Sequence, residues 1–89
     1  MNKLMIFSLN GCVHCNELKD KLTKLSIPFN DIEITQNRSL WEGVVSQTGH
    51  DVLPTVFIQT DNEGNGLVYI PGEDFQDFDE IIKIIKQNF

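Results

Sequence analysis

The longest apolar runs in this chain, Leu4-Met5-Ile6-Phe7 among them, are far shorter than the ~20 residues a membrane-spanning helix needs. A transmembrane helix is therefore not expected. Positive charge is also scarce, with seven Lys and Arg against thirteen Asp and Glu and a net charge of −6. Nucleic-acid binding rests on neutralising phosphates, so this balance argues against it. A mild acidic excess serves solubility, or meets basic patches on partner proteins. Cysteine is scarcer still. Two residues cannot form the disulfide framework that staples small secreted domains, and Met1-Asn2-Lys3 leading into a strand-like run does not read as a signal peptide.

What remains is ordinary for a globular protein: 40% hydrophobic and 22% charged residues in 89 positions. That length makes a single domain, residues 1–89, which buries only about 60–65% of its unfolded surface. A monomer is expected. No internal repeat or low-complexity segment interrupts the chain.

The two cysteines stand three residues apart in Asn10-Gly11-Cys12-Val13-His14-Cys15. The apolar run before them reads as a buried strand. Leu18, Leu22 and Leu25 after them mark one face of a helix. The pair thus lies where a strand turns into a helix N-terminus, among unpaired backbone N–H groups and the positive end of the helix dipole. A thiolate there is stabilised, which lowers the cysteine pKa from about 8.5 and makes the sulfur nucleophilic near neutral pH. Residues three apart on a helix face each other, close enough to form a disulfide after small adjustment. Two buried, inert cysteines are one competing reading, against which the polar Asn10, Gly11 and His14 argue for an accessible turn; zinc is the other. It usually takes four ligands, and only His14 and His50 are left to complete a set, with His14 inside the motif. No metal site is expected. A close cysteine pair without a signal sequence suits a reducing cytoplasm, where such pairs are typically catalytic.

Taken in order, Lys3 to Ser8 is a strand apolar enough to be covered on both faces. The helix from about Cys12 to Leu25 carries Glu17 with Lys21 and Asp20 with Lys24 as i,i+4 pairs, and Ser26-Ile27-Pro28 ends it. Phe29 to Ile34 is a second strand. Leu40, Trp41, Val44 and Val45 have helical spacing, closed by Gly49. Thr55 to Gln59 is a strand, the turn formers of Thr60 to Gly66 make a hairpin loop, and Leu67 to Ile70 returns antiparallel. Asp74 is expected to cap a last helix with Phe75, Phe78, Ile81, Ile82, Ile85 and Phe89 turned inward. The order βαβαββα implies an α/β fold: a four-stranded mixed sheet with helices on both faces.

Three features fall in one order and spacing: Cys12-Val13-His14-Cys15 after the first strand, Val52-Leu53-Pro54 before the third, and Ile70-Pro71-Gly72-Glu73-Asp74 before the last helix. In these the chain resembles a dithiol glutaredoxin of the thioredoxin-fold superfamily over almost its whole length. The resemblance implies a thioredoxin-like fold and glutathione-dependent thiol–disulfide exchange. Glutathione would be the reductant, no cofactor would be permanently bound, and disulfide-containing proteins, ribonucleotide reductase among them, would be partners. It makes Cys12 the attacking thiolate and Cys15 the resolving thiol. Pro54 would follow a cis bond, presenting the backbone of Leu53 to an extended peptide such as glutathione. The other reading of Pro54 is the plain start of an edge strand. Gly72, Glu73 and Asp74 would receive the γ-glutamyl end of glutathione on backbone N–H groups at a helix start. Arg38 would meet its glycine carboxylate, or else be a solvated surface charge.

The chain also departs from that family. Leu9 stands where a lysine is frequent three residues before the first cysteine, and Phe75 where a second acidic residue is frequent. His14 replaces a common tyrosine. Protonated, it would lower the Cys12 pKa; facing solvent, it would have no role. Two alternatives stay open, the first because of the departures at Leu9 and Phe75. One is a redoxin fed by thioredoxin reductase and serving ribonucleotide reductase. The other is an iron–sulfur module held by the first cysteine and glutathione, although Val13 is bulkier than the small residue usual there.

Overall fold

Alternation along the first strand sets the architecture, because both of its faces are apolar and each needs cover. The computed structural model describes residues 2–89. Strand β1 (Lys3–Ser8) is followed by helix α1 (Val13–Lys24), β2 (Asn30–Glu33), α2 (Arg38–Thr48), β3 (Thr55–Gln59), β4 (Gly66–Tyr69) and α3 (Phe78–Gln87). The sheet order is β2-β1-β3-β4. β1 runs parallel to β2, with Phe7 opposite Ile32, and antiparallel to β3, with Ile6 opposite Val56. β3 and β4 are antiparallel, with Phe57 opposite Val68. This is the mixed four-stranded sheet expected from the element order.

Leu4 and Ile6 of β1 point to one face with Val56 and Ile58 of β3. There they join Leu18 and Leu22 of α1, Phe75, and Ile81, Ile82 and Ile85 of α3 in one buried cluster. Each such side chain contributes roughly 1.5–3 kcal/mol on burial, so this layer holds the fold together. The opposite face is closed by α2, whose Trp41 ring lies 5.4 Å from that of Phe7 at an interplanar angle of 40°.

The ends of the elements have local causes. α1 stops where Leu25 caps it. Ser26, at φ 58°, lets its N–H reach the Thr23 carbonyl (3.0 Å) and Ile27 N–H reach that of Leu22 (2.9 Å). This is the Schellman pattern, with serine where glycine is commonest. α2 ends at Gly49 in the left-handed region, as expected. In the β3–β4 loop the Asp61 carboxylate accepts from the N–H groups of Glu63 and Asn65 and from the Asn65 amide, at 2.9–3.0 Å. The Asn65 side chain foremost, with these backbone donors, holds the Asp61 pKa below the ordinary carboxylate value.

Several expectations need correction. β2 begins at Asn30 rather than Phe29, and β4 covers Gly66–Tyr69 rather than Leu67–Ile70. Of the two ion pairs expected on α1, Asp20–Lys24 forms at 3.0 Å, whereas Glu17–Lys21 is not among the ion pairs of the described residues. Asp74 does not cap the last helix. Its carboxylate accepts Ile70 N–H at 2.7 Å and closes a turn, while Asp77 caps α3 by accepting Glu80 N–H at 2.8 Å. Phe89 lies beyond the Asn88 cap and is 56% exposed rather than inward.

Candidate active site

The two sulfurs are positioned by the turn between β1 and α1. Gly11 takes φ 85°, a conformation that costs other residues steric strain, and Cys12 N–H donates to the Leu9 carbonyl at 3.0 Å. Cys12 is then the N-cap of α1, in extended backbone. Its carbonyl accepts Asn16 N–H at 3.1 Å, and its Sγ accepts Cys15 N–H at 3.2 Å. A sulfur thus occupies the place of the usual serine or aspartate cap oxygen. As a thiolate it would meet the free N–H groups and the positive end of the helix dipole.

Cys15 lies one turn further in and is fully buried, whereas Cys12 is partly exposed. The burial of Leu18 and Leu22, on the same face of α1, keeps Cys15 inward. The Cα atoms of the cysteines are 5.3 Å apart and their sulfurs are within disulfide distance.

Beside this helix start lies a cleft of about 360 Å³. His14 and Glu17 of α1 form one wall, Leu53 and Pro54 a second, and Pro71, Gly72 and the stretch from Phe75 to Phe78 the rest. The Leu53–Pro54 bond is cis. Pro54 is buried, and the neighbouring Thr55 hydroxyl donates to the Val52 carbonyl at 2.7 Å. Phe75, 2% exposed, ties the cleft to the core cluster.

The structure brings His14, Leu53, Pro54 and Gly72 to this one cleft. Glu73 and Asp74 sit on the adjoining turn and are not among its walls. Their N–H groups both donate to the Ile70 carbonyl, at 3.1 and 2.7 Å, and Gly72 N–H donates to that of Phe75 at 2.9 Å. The helix-start donors expected at 72–74 are therefore already used in the turn, and the helix begins only after Asp77. Arg38 is exposed at the start of α2 and does not line the cleft. Among the described residues no three His, Cys, Asp or Glu side chains gather in a group that could hold a metal.

Sequence reasoning missed Gln76 and Asp77, the polar groups that the cleft owes to the true start of α3. The signal was present. Asp77-Phe78-Asp79-Glu80 has capping-box spacing, and Glu80 answers the cap by accepting Gln76 N–H at 3.2 Å. Gln76 also donates its amide to the Gly72 carbonyl at 3.0 Å, joining the two ends of the cleft wall.

Below the cysteines on α1, Lys19 bonds Asp31 of β2 at 2.9 Å, and the buried Ser8 hydroxyl donates to the same carboxylate at 2.5 Å. Burial pushes the Asp31 pKa up, but the Ser8 and Lys19 hydrogen bonds and the Lys19 charge outweigh it, so the carboxyl titrates below its ordinary value. This network pins α1 to the sheet edge.

A comparison with known proteins places this geometry. A sequence profile of the glutaredoxin family matches residues 4–62, which include both cysteines and Leu53-Pro54. The N-acetyl-S-hydroxy-L-cysteine reductase of Bacillus subtilis (strain 168) is 27% identical over 67 residues, spanning 75% of this chain and 72% of that protein. The fold is similar to that of the buckwheat glutaredoxin–glutathione complex, with a TM-score of 0.62 and 21% identity over 98% of this chain and 71% of the other. It is also similar to that of a malarial protein, with a TM-score of 0.56 and 17% identity over 98% and 96% of the two chains. The chain belongs to the glutaredoxin family and is a thiol–disulfide oxidoreductase.

Proposed function

We propose that the protein is a glutathione-dependent dithiol glutaredoxin that reduces protein disulfides and glutathione mixed disulfides. The observation that carries this reading is the partly exposed Cys12 sulfur at the α1 N-cap, one turn from the buried Cys15 and beside a cleft walled by Leu53-Pro54 and Gly72. In the first step the Cys12 thiolate attacks one sulfur of the substrate disulfide. The other sulfur leaves as a thiolate and takes a proton from water. Cys15 then loses its proton and attacks the Cys12 sulfur, releasing the second substrate thiol and leaving the Cys12–Cys15 disulfide. One glutathione thiolate opens that bond to a Cys12–glutathione mixed disulfide. A second attacks the glutathione sulfur, so that oxidised glutathione leaves and the dithiol is restored. Two electrons pass from two glutathiones to one disulfide.

In this reading Leu53 and the Gly72 turn border the bound glutathione, and Asp77, an anion in the cleft, suits its amino group. Arg38 and His14 keep the roles proposed from sequence, toward the glycine carboxylate and the Cys12 thiolate. The chain works as a monomer in a reducing cytoplasm on disulfide-bearing proteins, ribonucleotide reductase being one.

The deciding assay reduces a small glutathione mixed disulfide with either glutathione or thioredoxin reductase as electron source. Glutathione-supported turnover is expected, lost in Cys12→Ser and retained in part in Cys15→Ser, which can still exchange with glutathione directly. Turnover with the reductase alone refutes glutathione as donor. The Bacillus relative motivates a second reading, in which the oxidant is a small S-hydroxy-cysteine. There Cys12 attacks the sulfenic sulfur, hydroxide departs as water after protonation, and Cys15 resolves the mixed disulfide. Faster single-turnover oxidation of the dithiol by such a compound than by the mixed disulfide selects this reading.

A further inference from the structure

The residues not used by the redox site include a second, larger groove of about 650 Å³ between α1 and α3. Its walls carry Lys21, Lys24, Lys83 and Lys86 and a single acid, Asp79, with Leu25 as its exposed apolar surface and the largely buried Ile82 at its base. Four of the seven basic side chains of a chain of net charge −6 thus line one groove with one of its thirteen acids, and a second, Asp20, stands beside Lys24 at its edge. The ends of α1 and α3 explain part of this, since lysine in a last turn offsets the helix dipole. They do not explain why Leu25 stays 46% exposed among the lysines. Among the described residues, Lys24 alone of the four is in an ion pair, with Asp20 at 3.0 Å, and both partners are well exposed. Such a pair is weak, so an incoming carboxylate competes with Asp20 on nearly even terms.

We propose that this groove docks a short acidic segment, bearing an apolar residue, of a partner protein. Carboxylates would meet the lysines while a leucine-sized side chain covers the exposed Leu25. The volume suits a few residues and not a long polymer. Away from the groove the surface is strongly acidic, which repels any polyanion extending past its ends. That favours a peptide over a nucleic acid. The groove lies beside the C-terminal end of α1, and that helix of 12 residues is about 18 Å long. A docked partner would therefore leave the Cys12 end free.

The test uses the oxidised full chain, so that no thiol chemistry contributes, and follows anisotropy of a fluorescein-labelled peptide of repeating Glu-Glu-Leu. The expected result is saturable binding, weakened about tenfold by K83E/K86E, unchanged by the control Lys3→Glu, and reduced as salt rises. Amide shifts should center on the α1 and α3 residues of the groove. The lysines are exposed, and circular dichroism of K83E/K86E checks that the fold is kept. No binding, binding unaffected by the charge reversal, or tighter binding of a thymidine oligonucleotide of equal charge overturns the proposal.

Discussion

The two faces of the sheet are covered very differently. On one, α1 and α3 contribute Leu18, Leu22, Ile81, Ile82 and Ile85 to a continuous buried cluster. On the other, α2 contributes no fully buried side chain. Leu40 is 49% exposed, and a cavity of about 310 Å³ opens between the helix and Met5, Phe57 and Val68. The redox helix belongs to the tight face. A disulfide exchanger needs two sulfurs held at a fixed separation, and the leucines that follow Cys15 hold that separation in place. α2 carries only Arg38 among the proposed binding residues and is anchored by the Phe7–Trp41 contact. The tighter packing thus lies under the helix that carries the chemistry.

The sharpest way to break this comparison is to cut into both faces and compare urea denaturation. Ile81→Ala or Leu18→Ala should cost about 2–5 kcal/mol, the range for emptying a fully packed site. Trp41→Ala should cost less, about 2 kcal/mol, because the indole is only partly buried. Equal losses on the two faces would show that α2 packs as tightly as α1. A pH series sharpens the edge of the tight face. Because the Asp31 pKa is depressed on folding, its contribution is complete above the unfolded value of about 3.9 and disappears as pH falls through the lower folded value. The carboxylate is 44% exposed, so the effect should not exceed about 1 kcal/mol. Asp31→Asn should remove that part of the acid limb, and an unaltered limb would argue against it. Ser26→Gly should raise stability by about 0.5–1 kcal/mol by relieving the left-handed serine at the α1 cap. Leu40→Ala should change it by less than about 0.5 kcal/mol, as at an exposed position.

Much of this was legible along the chain. Alternating and helical spacings located all seven elements, and Gly49 marked the end of α2 correctly. The failures cluster between Ile70 and Asp77. There Asp74 and Asp77 are both acceptable caps, and local chemistry does not choose between them. The choice is made by Ile70 N–H, which takes the Asp74 carboxylate, and by Phe75, which must reach the core before the helix can start. Phe89 misled for a related reason: its helical spacing from Ile85 counts for nothing once the helix has ended at Gln87.

By itself the sequence determined the element order, the place of Cys12 and Cys15 at a strand-to-helix turn, and the apolar faces that make a mixed sheet. These follow from periodicity and turn chemistry, which act over a few residues. Only the tertiary structure decided that His14, Leu53, Pro54, Gly72 and Asp77 share one cleft, and that four lysines from two helices meet around one groove. Those are contacts between segments distant in sequence, and packing against a common sheet is what brings them together.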